Sequence, residues 1–326
     1  MVDQEDFPYD VVKTLIEEAE FISILSHLNP DPDAIGTALG IYTLLKESKK
    51  RRVEVVNASK ELPRHLDFLA GFDKIKTKIE YANSLIIACD CGNIERLGFE
   101  LKGRKILNID HHQSNDLYGT LNVVFPMYAS SSQVAFELFK KHYTISVKSA
   151  EAFYAALLSD TRYFTTSSVT AKVFNVAREM VEIGVDPAKV AYHFTQRRSL
   201  ASFRILQRAL SSLHLYSDAR IAVLHVSKED IAATGAKIPD MDGVVDYARS
   251  LATVEVAVFA MEMNDGIRIS LRSKGIDVNA IAASFGGGGH KVAAGITFKA
   301  GNLQQIIDTI IVKIQETGLR DGKKEA

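Results

Sequence analysis

The apolar run KILNID ends at Asp110 and is followed at once by His111 and His112. Three titratable side chains in a row at the end of a buried strand need compensation. An unpaired polar group costs of order 2–7 kcal/mol in an apolar interior. The same grammar recurs along the chain. FISILSH runs into LNPDPD, bringing His27, Asp31 and Asp33, and LIIACD ends at Asp90. AALLSD closes a helical run on Asp160. A single strand-end Asp is usually a cap or a turn residue, but a crowd of such groups is not explained that way. Carboxylates packed together repel, and several would have to take up protons. Divalent cations turn that repulsion into affinity. Aspartates with a few histidines and no thiolate favour a hard or borderline ion, manganese or magnesium, over structural zinc. The set is larger than one ion needs. Two ions sharing a bridging carboxylate would use it fully, and such pairs activate water for attack at phosphorus.

A second signal is FGGGGHKVAAG at 285–295. A P-loop would need GxxxxGK[ST] between a strand and a helix. Here the glycines follow a helical run and lead into a strand, so that reading fails. Gly287, Gly288 and Gly289 are expected to form an anion-binding nest of backbone N–H groups, with His290 beside it as a donor. Ser270, Arg272 and Ser273 in ISLRSK offer a further anion contact, since Arg forks phosphate. His65, His142, His193, His214 and His225 sit in no Asp-rich stretch and read as surface or core residues.

The elements that must position these groups follow from periodicity. Residues 21–27, 51–57, 84–90 and 105–110 read as strands. Helices are expected over 33–47, with Asp33 as its cap, after the serines of VVFPMYASSSQVAFELFKKH, over 149–160 and near 171–183. Strands alternating with helices imply a mostly parallel sheet with helices on both faces. All strand C-termini then lie on one edge, where His27, Asp31, Asp33, Asp90, His111 and His112 should converge, with Asp160 as a candidate to join them. Cys89 and Cys91 flank Asp90 and are expected on one face of that strand, in the core. This α/β domain is placed at 1–192. A connecting helix (193–213) follows, with Phe203, Leu206, Leu210 and Leu213 as its apolar face and Arg197, Arg204 and Arg208 on a solvated one. A smaller α+β domain occupies 214–326, with a hairpin at Asn264-Asp265-Gly266 and a final amphipathic helix at 302–317. The tail RDGKKEA reads as frayed.

Composition narrows the partners. The 326 residues suit two domains, and 47% apolar content supports a real core. A formal charge of −1 argues against a protein that coats long duplex nucleic acid, which needs a basic field. Two cysteines make no disulfide framework. The start MVDQEDFPYD lacks the basic and apolar regions of a leader, and no apolar run is long enough to span a membrane. A cytoplasmic protein is expected.

HLNPDPDAIG, the isolated Asp90, NIDHH and LLSDT resemble the four motifs of the DHH phosphoesterase superfamily. GGGGHKVAAG with ISLRSK resembles the DHHA1 substrate domain that accompanies it. The resemblance covers nearly the whole chain. It implies that His27, Asp31 and Asp90 hold one manganese, and that Asp33, the bridging Asp90, His111 and Asp160 hold the other. It implies that Asp110 orients the histidines and that His112 contacts the scissile phosphate. Arg272 and the Gly286–His290 loop would grip a terminal phosphate or nucleotide. The implied substrates are short oligoribonucleotides, cyclic di-AMP or its linear pApA form, and 3′-phosphoadenosine 5′-phosphate; the implied assembly is a homodimer. Thr37 stands where Ser is expected and Ala156 where Gly is common; neither removes a ligand. The rival readings are an inorganic pyrophosphatase, disfavoured by GGGGH, a single-strand exonuclease, and a nucleotide sensor that does not cleave.

Overall fold

Apolar residues in short runs become five parallel strands in the first half of the chain. A computed structural model describes residues 7–48, 52–317 and 319 and divides between Arg197 and Arg198 into two units. The tail at 320–326 lies outside the described residues. In the first unit, β1 (Phe21–Ser26), β2 (Arg52–Val56), β3 (Leu85–Cys89), β4 (Ile106–Asp110) and β5 (Leu121–Val124) pair in the order β2-β1-β3-β4-β5, all parallel. The edge strand β5 was not expected, because four residues of mixed exposure carry no clear period. Six helices accompany the sheet: α1 (Tyr9–Glu18), α2 (Pro32–Glu47), α3 (Ser131–Phe139), α4 (Val147–Asp160), α5 (Ala171–Ile183) and α6 (Pro187–Thr195). Each contributes to one large apolar cluster with Ile22, Ile24, Ile87, Leu107 and Ile109. On the other face, Leu25, Val56, Ile86 and Ala88 pack against Cys91, Leu97 and Leu101.

Two local expectations change. Asp31, not Asp33, caps α2, accepting from the Ala34 amide at 3.0 Å. Pro32 at the first helical position fixes that start. Asp33 therefore sits in the first turn and points inward. Helices α2 and α4 approach very closely at Gly36, where a methyl group would meet the Ala152 carbonyl oxygen at 2.6 Å and the Ala156 Cβ at 2.8 Å. Overpacking costs about 1–3 kcal/mol. Gly36→Val is accordingly expected to lower the melting temperature by several degrees, at roughly 2–4 °C per kcal/mol. An unchanged melting curve would show that the two helices are not in this contact.

The second unit contains α7 (Leu200–Ser211), β6 (His214–Tyr216), β7 (Ile221–Val226), α8 (Lys228–Thr234), α9 (Val244–Arg249), β8 (Val256–Met263), β9 (Gly266–Ser273), α10 (Val278–Ala283), β10 (Gly288–His290), β11 (Ala293–Phe298) and α11 (Leu303–Glu316). Its sheet runs β10-β11-β9-β8-β7-β6, and only the β7–β8 pair is parallel. Met263 pairs with Gly266, so Asn264 and Asp265 form a two-residue hairpin loop. Helices α10 and α11 cover one face through Ile281, Ile307, Ile310 and Ile314. Helices α7 and α9 cover the other through Ile205, Ala209, Val245 and Ala248. The packed stripe of α7 is thus Ile205, Leu206 and Ala209 rather than the expected one, and Phe203 is 58% exposed. Nor does Arg197 belong to a solvated helix face: it clamps Asp67 with two bonds of 2.6 and 3.0 Å. No helix among the described residues is long and apolar enough to cross a membrane.

Candidate metal centre

The parallel sheet delivers its polar groups to one edge. His27 follows β1, Asp90 follows β3, and Asp110 ends β4 with His111 and His112 directly after it. Asp31 and Asp33 open α2, and Asp160 closes α4. Asp90 has a left-handed backbone, φ +54°, a conformation that Asp tolerates better than most residues. This turn breaks the strand's alternation. Cys89 faces the helical cluster while Cys91 lies on the opposite face, so the two cysteines do not share a side.

Two groups of donors form around Asp90. His27 Nε2 stands 3.8 Å from Asp31 Oδ2 and 3.7 Å from Asp90 Oδ2. His111 Nε2 stands 3.7 Å from Asp90 Oδ1, 3.4 Å from Asp160 Oδ2 and 3.9 Å from Asp33 Oδ2. The rings are aimed from behind. His27 Nδ1 lies 2.9 Å from the Leu28 carbonyl and 3.3 Å from Arg96 Nη2, and His111 Nδ1 donates to the Tyr128 carbonyl at 3.2 Å. A carbonyl can only accept, so His111 Nδ1 carries its proton, and the Nε2 atoms of both rings face the carboxylates. Asp110 works differently. Its Oδ1 accepts from the His111 and His112 amides at 2.7 and 3.2 Å and from His112 Nδ1 at 2.7 Å, and its Oδ2 accepts from Asn115 Nδ2 at 2.6 Å. It braces the two histidines.

In the second unit, directly paired residues put Arg272, Ala293 and His290 in one row across β9, β11 and β10, and Ser270, Gly295 and Gly288 in the next. Small residues between Arg272 and His290 leave a flat shelf. The glycine run forms β10 at the sheet edge rather than a free loop. Gly289 has φ +153°, and a methyl there would lie 2.4 Å from the Ala293 carbonyl oxygen; one on Gly287 would lie 2.2 Å from that of Gly295. Close approach to β11 therefore requires these glycines. Ser273 does not join the shelf: alternation turns it to the buried face, where its hydroxyl donates to the Ile276 carbonyl at 2.5 Å.

Residues 21–158 match the profile described as DHH family, N-terminal domain, and residues 204–316 match the DHHA1 domain. The bifunctional oligoribonuclease and PAP phosphatase NrnA of Thermus thermophilus is 30% identical over 308 residues, covering 92% of this chain and 91% of that protein. The chain belongs to the DHH phosphoesterase family. The Bacillus subtilis protein of the same name is 28% identical to this DHH chain over 276 residues, covering 82% of it and 86% of the relative. The crystal structure of an exopolyphosphatase-related protein from Bacteroides fragilis superposes with a TM-score of 0.87 at 26% identity, covering 94% of this chain and 95% of that one.

The electrostatics of the DHH centre show whether cations fit. Asp33 and Asp90 are each only 1% exposed. Burial pushes the Asp33 carboxyl well up, and the charges of Asp90 and Asp160 push it further. Burial and then Asp31 raise Asp90. Burial lifts Asp160 to about 7 despite the pull of His111. Burial alone would lower His112, but Asp110 and Asp90 raise it to about 9. Negative charge on Asp33, Asp90 and Asp160 is thus disfavoured unless positive charge is supplied, whereas Asp31, despite its desolvation, is held below the usual carboxylate range by His27. The donor pairs described stand beyond hydrogen-bonding distance, and ligands of one ion at about 2.1 Å from it stand roughly 3–4 Å apart. Two histidines and four aspartates with no thiolate match a hard or borderline divalent ion. These residues fit a metal pair.

Three participants escaped the sequence reading. Tyr128 supplies its carbonyl, Asn115 its amide, and Ser131 both an amide and a hydroxyl. The run ASSSQ before an apolar stretch is a visible helix-start signature, but nothing in it says which serine faces the carboxylates.

Proposed function

We propose that the protein hydrolyses short oligoribonucleotides and removes the 3′-phosphate of adenosine 3′,5′-bisphosphate, using a manganese pair, with magnesium as the alternative ion. The carrying observation is Asp90, whose two oxygens face two different donor sets. The NrnA relatives, named for both activities and matched over most of their length, support the substrate class. His27, Asp31 and Asp90 would hold one ion; Asp33, Asp90, His111 and Asp160 would hold the other. When bound, the pair would supply a water of lowered pKa and neutralise phosphoryl charge.

The chain's own groups do the rest. Asp110 holds His112 Nδ1–H, which leaves Nε2 to contact a phosphate oxygen or the leaving group. Arg272 forks a terminal phosphate, and His290 with the Gly287–Gly289 backbone lines the nucleotide. We assign catalysis to 1–192, the connecting helix to 193–213 and substrate binding to 214–326, in a cytoplasmic homodimer.

The test is a hydrolysis panel of pApA, short oligoribonucleotides, adenosine 3′,5′-bisphosphate, cyclic di-AMP and pyrophosphate, with manganese and with chelator. Metal-dependent release of nucleoside monophosphates from pApA and the oligoribonucleotides, and of AMP with phosphate from adenosine 3′,5′-bisphosphate, is expected. Release from pyrophosphate alone, or tight nucleotide binding without cleavage, would overturn the reading. Arg272→Ala is expected to raise KM about 10- to 100-fold, the size of a lost charged hydrogen bond, with kcat less affected. An unchanged KM would remove Arg272 from the substrate contacts.

A further inference from the structure

The three serines at the start of α3 are fully buried, and their hydroxyls do different things. Ser130 Oγ accepts from the Gln133 amide at 3.0 Å and caps the helix. Ser132 Oγ shares a hydrogen bond of 2.7 Å with Ser130 Oγ. Gln133 Oε1 reaches back to the Ala129 amide at 2.9 Å. All of these are contacts within the helix start.

Ser131 departs from that pattern. Its amide donates to Asp33 Oδ2 at 2.7 Å. Its hydroxyl donates to Asp90 Oδ1 at 2.9 Å, with Asp110 Oδ1 further away at 3.3 Å. One residue therefore touches three carboxylates carried by α2, the end of β3 and β4. Asp33 is held in addition by the Ser132 amide at 3.1 Å and the Thr37 hydroxyl at 3.2 Å. Asp90 is held less firmly: the Ser131 hydroxyl makes the short bond to Oδ1, and His112 Nδ1 stands 3.5 Å from the same oxygen while bonding Asp110 at 2.7 Å. The terminal torsion of Asp is broad and two-fold. Without the Ser131 bond the group could rotate and present neither oxygen squarely to its donor set.

We infer that Ser131 is a positioning residue of the metal centre, setting the plane of the Asp90 carboxylate so that one oxygen faces each ion. The inference rests on the two-metal reading. Removing such an outer partner typically weakens metal binding about 10- to 100-fold.

The experiment compares wild type, Ser131→Ala, Ser131→Cys and Ser130→Ala, each freed of metal. Manganese is titrated by calorimetry and the metal-free chains are melted separately. Cysteine keeps the shape of serine but offers only a weak donor, so it guards against a folding defect in the alanine chain. Both Ser131 chains are expected to bind manganese about 10- to 100-fold more weakly, with metal-free melting close to wild type. Ser130→Ala should do the reverse, losing stability with the cap while keeping manganese affinity. If either Ser131 chain binds manganese as wild type does, while wild type takes up two equivalents, this inference alone is overturned. A wild-type chain that takes up no manganese overturns it together with the two-metal reading.

Discussion

Asp90→Asn is expected to reduce hydrolysis about a thousandfold or more while the metal-free fold persists. The carboxylate is the one whose oxygens face both donor sets, His27 on Oδ2 and His111 on Oδ1. Asparagine keeps the size, accepts the Ser131 hydroxyl through its carbonyl oxygen, and tolerates the left-handed backbone at φ +54°. It lacks the negative charge and the second anionic oxygen. Losing roughly 4 kcal/mol of charge stabilisation corresponds to about a thousandfold in rate. The asparagine also removes one member of a repelling group, so the metal-free melting temperature should stay level or rise. Alanine is a poorer probe, since a left-handed non-glycine backbone carries roughly 1–2 kcal/mol of its own. Turnover close to wild type in the asparagine chain would dismiss the shared ligand.

Manganese is expected to stabilise the metal-free protein far more at pH 8 than at pH 5.5. Asp33, Asp90 and Asp160 have folded-state pKa values above their ordinary range, Asp160 at about 7. A raised folded pKa means a stabilising contribution that is present at low pH and fades as pH rises through that value. His112, raised to about 9, acts in the same sense between its ordinary value and 9. Asp110 is held below the usual carboxylate range, burial being outweighed by His112; its contribution is lost only in strong acid, outside this window. The metal-free chain should therefore melt lower at pH 8, where deprotonated ligands also bind cations best. At a thousand times its dissociation constant a ligand adds about 4 kcal/mol, or roughly 10 °C for a unit of this size. Equal shifts at the two pH values would contradict the crowding of ionised carboxylates at this edge.

Much of this was legible in the residues. Runs such as FISILS and LIIAC are too short and too apolar for anything but buried strands, and each stops at a charged group, so their common edge followed. What the sequence concealed depends on backbone geometry and three-dimensional neighbours. The opposed faces of Cys89 and Cys91 arise from one left-handed residue between them. The capping role passed from Asp33 to Asp31 because Pro32 fixes where the helix begins. Ser273 left the row of Arg272 and His290 because strand alternation turns it to the opposite face. The hydroxyl of Ser131 meets Asp90 across 41 residues, a distance no local pattern spans.

That dispersal has a consequence for how the protein matures. The Ser131 amide and Asp33 lie 98 residues apart in sequence, and Asp160 comes later still. Partners so remote in the chain meet late, because each must close a long loop first. A ribosome-bound chain that has not yet exposed α4 lacks Asp160 altogether and presents an incomplete cage. On the proposed two-ion reading, tight uptake of the second ion should therefore follow completion of the first unit, which would make metal loading a natural readout of finished folding.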